Sequence, residues 1–148
     1  MTKVKKIIAP TDLSKLSRPA VRYALEMALG QGAQVIVYHV ISEDADFFGK
    51  DTALNPASAF VPQLKERLRE FVRDNFADLV GKVDFIEVVE AGVPYNKIIQ
   101  KAEEENADLI VMSTHGRTGF EQIMLGSVTA KVVARAPCPV VSIRPKKN

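Results

Sequence analysis

The feature that most constrains this chain is a repeated change of hydrophobic period. Short β-branched apolar runs alternate with longer stretches in which apolar residues recur every three or four positions. Lys6-Ile-Ile-Ala9 is a short strand that stops at Pro10. From Ser17 the spacing turns helical, with Ser17 as N-cap, Pro19 in the first turn and Ala20, Val21, Ala24, Leu25 and Ala28 on one face; Gly30 and Gly32 end it. Gln34–Ile41 is almost continuously apolar, as a strand covered on both faces should be. Leu64, Leu68, Phe71, Val72, Phe76 and Leu79 mark one face of a long helix, read as core packing. Val83–Val89 is a third strand; Gly92 and Pro94 introduce a helix through Ile98, Ile99 and Ala102. Asp108–Met112 is a fourth strand, Val128, Val132 and Val133 lie on a last helix, and Pro139–Ile143 is the fifth strand.

The order is βαβαβαβαβ with no break in composition and no internal repeat, which predicts one domain over residues 1–148. Helices between successive strands imply right-handed crossovers and a mostly parallel sheet covered on both faces. A chain of 148 residues buries roughly 70% of its unfolded surface, so it needs no disulfide or metal staple. The single cysteine, Cys138, forbids an internal disulfide and makes the reducing cytosol the expected compartment. No apolar run approaches the length that spans a bilayer. A formal net charge of +2, with basic residues interleaved among acids, argues against a nucleic-acid partner.

In open sheets of this kind, ligands bind beyond the carboxyl ends of the strands, where the strand order reverses. Pro10-Thr11-Asp12, Val40-Ile41 and Ser113–Gly119 all lie at such ends. The third opens Ser113–Ser127, the most informative stretch. Gly116, Gly119 and Gly126 permit positive φ and close approach of a ligand to the backbone. Gly126-Ser127 stands directly before a helix, whose unpaired N–H groups and positive dipole end favour phosphate. The competing reading is that these glycines only shape a turn and Ser127 only caps the helix. Spacing alone does not separate the two.

The chain resembles the universal stress protein family. Nucleotide-binding members show Gly, two residues, Gly, nine residues, Gly, then Ser or Thr; here the positions are Ser113, Gly116, Gly126 and Ser127. The likeness extends to Ile8–Ser14, His39-Val40, Gly92-Val-Pro94, Ala107–Met112 and Ala136–Val141, and so to nearly the whole chain. It implies a three-layer, Rossmann-like α/β/α fold with a five-stranded parallel sheet of order 3-2-1-4-5. It also implies an ATP site. Pro10, Thr11 and Asp12 would lie by the adenosine, and the Val40 backbone by the adenine edge. Met112, Ser113 and Gly116 would follow ribose and first phosphate, with Gly126, Ser127 and Val128 on the outer phosphates. Magnesium would accompany the phosphates.

Ser113 is the departure, serine where the family has glycine. If the position needs positive φ, serine carries a strain of about 1 kcal/mol. Asp12 suits a local turn as well as a ligand contact. His115 reads as a loop residue near phosphate, His39 as a hydrogen-bonded core or rim histidine, and Arg117 as a screen for phosphate charge or a solvated loop residue. Cys138, between two prolines, reads as inert packing. Phe47 and Phe48, in the irregular stretch 42–57, read as side chains tucked onto the domain or as a lid.

These features favour an ATP-binding regulatory switch, not an enzyme, with slow ATP hydrolysis as the most that phosphate positioning and a metal would supply. The alternative is a dimeric interaction module of the same family that binds no nucleotide. A phosphoacceptor receiver domain is excluded, because Asp12 stands alone where an acidic pair is needed. Val140, Val141 and Ile143 make strand five an apolar edge, and the resemblance implies a homodimer through it.

Overall fold

A computed structural model describes residues 3–43, 56–115 and 125–145. In chain order the elements are β1 (Lys6–Pro10), α1 (Arg18–Gln31), β2 (Gln34–Ser42), α2 (Val61–Phe76), β3 (Asp84–Gly92), α3 (Pro94–Glu104), β4 (Leu109–Ser113), α4 (Ser127–Arg135) and β5 (Val140–Ile143). One-turn 3₁₀ segments, Lys15–Ser17 and Ala57–Phe60, lead into α1 and α2. The punctuation of α1 falls at the expected residues, although the Ser17 side chain makes no cap bond. Ser17 is its N-cap residue and Pro19 lies in the first turn. At the other end Gly32 takes φ 68°, which lets its N–H and that of Ala33 both reach the Ala28 carbonyl, at 2.8 and 3.1 Å.

All five strands pair in parallel, in the order β3-β2-β1-β4-β5. Strand alternation divides the core into two layers. Ile7, Ala9, Val35, Val37 and Val111 point to one face, where Val21 and Leu25 of α1 and Leu68, Val72 and Phe76 of α2 cover them. Ile8, Ile36, Tyr38, Ile110 and Met112 point to the other, under Ile98 and Ala102 of α3 and Val132 of α4. The result is an α/β/α sandwich. Each large side chain so enclosed contributes about 1.5–3 kcal/mol.

Most sequence-based boundaries shift by a residue or more, β3 the furthest. β3 begins at Asp84 and runs on through Gly92, because β2 continues to Ser42 and pairs with it residue for residue. In the apolar stripe of α2, Leu68, Phe71, Val72 and Phe76 are buried, while Leu64 near the N-terminus is half-buried. At the β5 edge Val140, Val141 and Ile143 are half-buried against the two core layers, and Ser142 is exposed. Among the described residues no helix is long and apolar enough to cross a membrane.

Candidate functional site

The chain runs outward from β1 to β2 and β3, then crosses back to β4 and β5. The order therefore reverses between β1 and β4, and the loops leaving these strands open a crevice at their carboxyl ends. A cavity of about 490 Å³ occupies that place.

At the end of β1, the Thr11 N–H donates to the Tyr38 carbonyl at 2.9 Å, the last rung of the ladder to β2. The Ser17 hydroxyl donates to the Ser14 carbonyl at 2.8 Å, so the Thr11 hydroxyl is the donor in the 2.7 Å contact with Ser17. Thr11 Oγ1 also accepts the Leu13 N–H at 3.0 Å. This holds Leu13 at φ 69°, a left-handed conformation that costs a non-glycine residue about 1 kcal/mol or more. Asp12 makes the local turn foreseen for it: its Oδ1 accepts the N–H of Ser14 at 3.0 Å and the Ser14 hydroxyl. Asp12 lines the cavity as well.

At the end of β2, His39 is buried and its Nδ1 lies 2.8 Å from the Thr11 carbonyl. A carbonyl only accepts, so Nδ1 carries the proton. Val40 comes one residue later. Peptide groups alternate between the two edges of a strand, so the Val40 N–H and C=O share the β1-facing edge with those of Tyr38. β1 has already ended there, and Val40 borders the cavity.

Ser113 closes β4. It is buried and is not among the residues with left-handed backbone, so serine carries no φ penalty at this position. Its Oγ lies 2.8 Å from the His115 carbonyl and 3.2 Å from that of Leu16. The side chain thus braces the loop after β4. The neighbouring Thr114 Oγ1 sits 2.9 Å from His115 Nδ1.

The start of α4 revises one expectation, on Gly126, and the competing reading of Ser127 as a cap. Gly126 is the N-cap residue with φ −61° and ψ 154°, an extended conformation open to any residue, so its backbone does not require glycine. Ser127 occupies the first helical position and does not cap the helix. Glycine at the N-cap has no side-chain acceptor, and no side chain caps the helix. The first intrahelical bond is Ala130 N–H to the Gly126 carbonyl, at 2.9 Å. The N–H groups of Ser127, Val128 and Thr129 precede it and have no intrahelical acceptor. Two bonds fix this end against β4: Gly126 N–H to the Thr114 carbonyl at 2.7 Å, and Thr129 Oγ1 to the Ser113 carbonyl at 2.7 Å.

The cavity brings together Pro10, Thr11, Asp12, Val40, Met112 and Ser113 with Gly126, Ser127 and Val128. Gly116 and Arg117, with Phe47 and Phe48, lie outside the described residues. Sequence reasoning missed a further wall built by Phe60, Gln63, Leu64 and Arg67 at the start of α2. Its signal was the apolar pair Phe60 and Leu64 continuing at helical spacing into Arg67. Tyr38 lies beneath the cavity with its hydroxyl bonded to Glu90 Oε1, and Lys101 Nζ sits 5.6 Å from the ring centroid. Burial, and then the Glu90 bond, push the Tyr38 phenol far above its ordinary range, so it is a neutral donor. Cys138 is half-buried; burial and then Asp108 raise its thiol pKa, in keeping with packing.

The universal stress protein family model matches residues 3–144. The chain belongs to the universal stress protein family. Universal stress protein MJ0531 of Methanocaldococcus jannaschii is 38% identical over 97% of this chain and 85% of its own length. A Thermus aquaticus universal stress protein is 35% identical over 95% and 98%. The solved structure of protein MJ0577 superposes with a TM-score of 0.75 at 26% identity, covering 99% of this chain and 100% of that one. Another universal stress protein structure, solved in complex with cAMP, has a TM-score of 0.69 at 25% identity over 98% and 100%.

Proposed function

We propose that this universal stress protein binds an adenine nucleotide, ATP in the first instance, and acts as a nucleotide-dependent regulatory switch with at most slow ATP hydrolysis. The uncapped start of α4 on the cavity wall carries this reading. Three N–H groups and the positive end of a helix dipole face a site whose cap residue has no side chain to occupy them. The Val40 N–H and C=O offer a donor and an acceptor to a base edge. The apolar lining between the two, Met112 among it, suits the base and ribose. The cAMP complex of the relative supports the same ligand class.

In this reading Pro10, Thr11 and Asp12 border the adenosine, Ser113 and Gly116 the first phosphate, and Gly126, Ser127, Val128 and Arg117 the outer phosphates. Among the described residues no group of three or more His, Cys, Asp or Glu side chains could hold a metal ion. The donors present, the Asp12 carboxylate and the Ser127 hydroxyl, fit magnesium carried on the phosphates with waters completing its shell. Bound in that way, the ion would neutralise phosphate charge. The working unit is a cytoplasmic single-domain protein that forms a homodimer through β5. A monomeric mass at micromolar concentration would refute that assembly.

Calorimetric and thermal-shift titration with ATP, AMP and cAMP, with and without magnesium, tests the site. A ligand at a hundredfold excess over its Kd stabilises the fold by about 2.7 kcal/mol. Gly126→Asp supplies an N-cap carboxylate that occupies the same N–H groups, so the variant should melt no lower than wild type yet lose the nucleotide response. Absence of any response in wild type would favour the interaction-module reading.

A further inference from the structure

Arg67 and Gln63 stand one turn apart on α2 and line the cavity beside Phe60 and Leu64. Both are exposed, and Arg67 has no ion-pair partner among the described residues. Their place in the fold fixes which end of a ligand they meet. α2 packs on the first core layer, against β3 and β2, whereas α4 packs on the opposite layer, against β5. The α2 wall and the start of α4 therefore lie diagonally across the crevice, with the end of β1 between them. Val40 lies on β2, a strand that α2 packs against, although its side chain rests on the opposite layer.

We infer that Gln63 and Arg67 are specificity-determining residues for the purine base, an inference that rests on the nucleotide reading of the same cavity. With phosphate at α4, the base lies toward Val40 and α2. Phe60 and Leu64 supply apolar contact, and the two polar side chains face the edge left by Val40. Their chemistry matches a purine's N7 edge. A carboxamide both donates and accepts, as N7 and the N6 amino group of adenine require; a guanidinium only donates, which fits N7 and O6 of guanine. A pyrimidine has no N7 and is one ring shorter. The site is thus a purine site that admits guanine through Arg67 and reads adenine through Gln63.

The test is calorimetric titration of the whole protein with ATP, GTP, CTP and inorganic triphosphate, using wild type, Arg67→Ala, Arg67→Lys and Gln63→Ala. Expected are ATP and GTP binding at least about tenfold tighter than CTP, a loss of about tenfold for GTP in Arg67→Ala, and a similar loss for ATP in Gln63→Ala. Inorganic triphosphate should bind all four proteins alike. Arg67→Lys keeps the charge but not the fork, so GTP should stay weak; full rescue by lysine would reduce Arg67 to a general electrostatic role and overturn the base assignment. Unchanged nucleotide affinities in both alanine variants, with triphosphate still bound, would overturn the inference and leave the nucleotide reading standing. Failure of wild type to bind either nucleotide or triphosphate would remove both.

Discussion

Thr129 Oγ1 donates to the Ser113 carbonyl at 2.7 Å, and both residues are buried. The bond joins the first turn of α4 to the last residue of β4, so the orphan N–H groups of the helix are held at the switch point of the sheet. Replacing Thr129 by valine keeps the shape and removes the donor, leaving a buried carbonyl without this partner. A loss of about 1–3 kcal/mol is expected by urea denaturation. Nucleotide affinity should fall too, since the cradle loses its anchor; a stable Thr129→Val that binds ATP normally would show that the anchor is dispensable.

Ser113 stands where the family resemblance implies glycine, and the structure gives the serine a role. Its backbone is unstrained, and its hydroxyl braces the loop after β4 through the His115 and Leu16 carbonyls. Ser113→Gly should therefore destabilise the protein by about 1–2 kcal/mol, from the lost bond and the added freedom of the unfolded chain. ATP affinity should not rise. A tighter site in the glycine variant would mean that the serine Cβ crowds the ligand.

The layered sheet was legible in the sequence because each element announces itself locally. Gln34–Ile41 and Asp108–Met112 are apolar enough to be covered on both faces, and Pro19 and Gly32 punctuate α1. The crevice followed from topology and the glycine-serine step from helix-end chemistry. Of the α2 wall only the apolar pair Phe60 and Leu64 left a signal, since Gln63 and Arg67 reach the cavity only through the packing of α2 over β2 and β3. The length of β3 was hidden for a related reason: Gly92 joins the strand because Ser42 is there to pair with it. The N-cap role of Gly126 depended on backbone angles that a glycine does not reveal.

Gly92 closes β3 at φ 157°, and a Cβ built there would lie 2.7 Å from Lys97 Cγ and 2.9 Å from its Cδ. Two penalties are separable at this position. Gly92→Ala should cost about 1–3 kcal/mol through the backbone conformation, with the contact added. Lys97→Ala in the same chain should restore only the steric share. Denaturation midpoints of the two single variants and the double variant give the partition, and complete recovery in the double variant would show that the backbone tolerates a side chain.

Glu87, on β3, is partly buried and near Arg69, Lys65 and Arg73 of α2. Burial is the largest influence and raises its carboxyl above the ordinary 4.5, although the three cations pull the other way. A raised acid in the folded state favours the protonated form. Its contribution is complete below the unfolded value and is lost as pH rises through the folded one. Glu87→Gln cannot ionise and escapes that loss. Near pH 4 the variant and wild type should have similar urea midpoints, relative to any fixed effect of the substitution. Towards pH 7 the variant should gain, by under about 1 kcal/mol because the site is partly solvated. A variant that instead loses ground between pH 4 and 7 would mean that the α2 cations outweigh burial at this carboxylate.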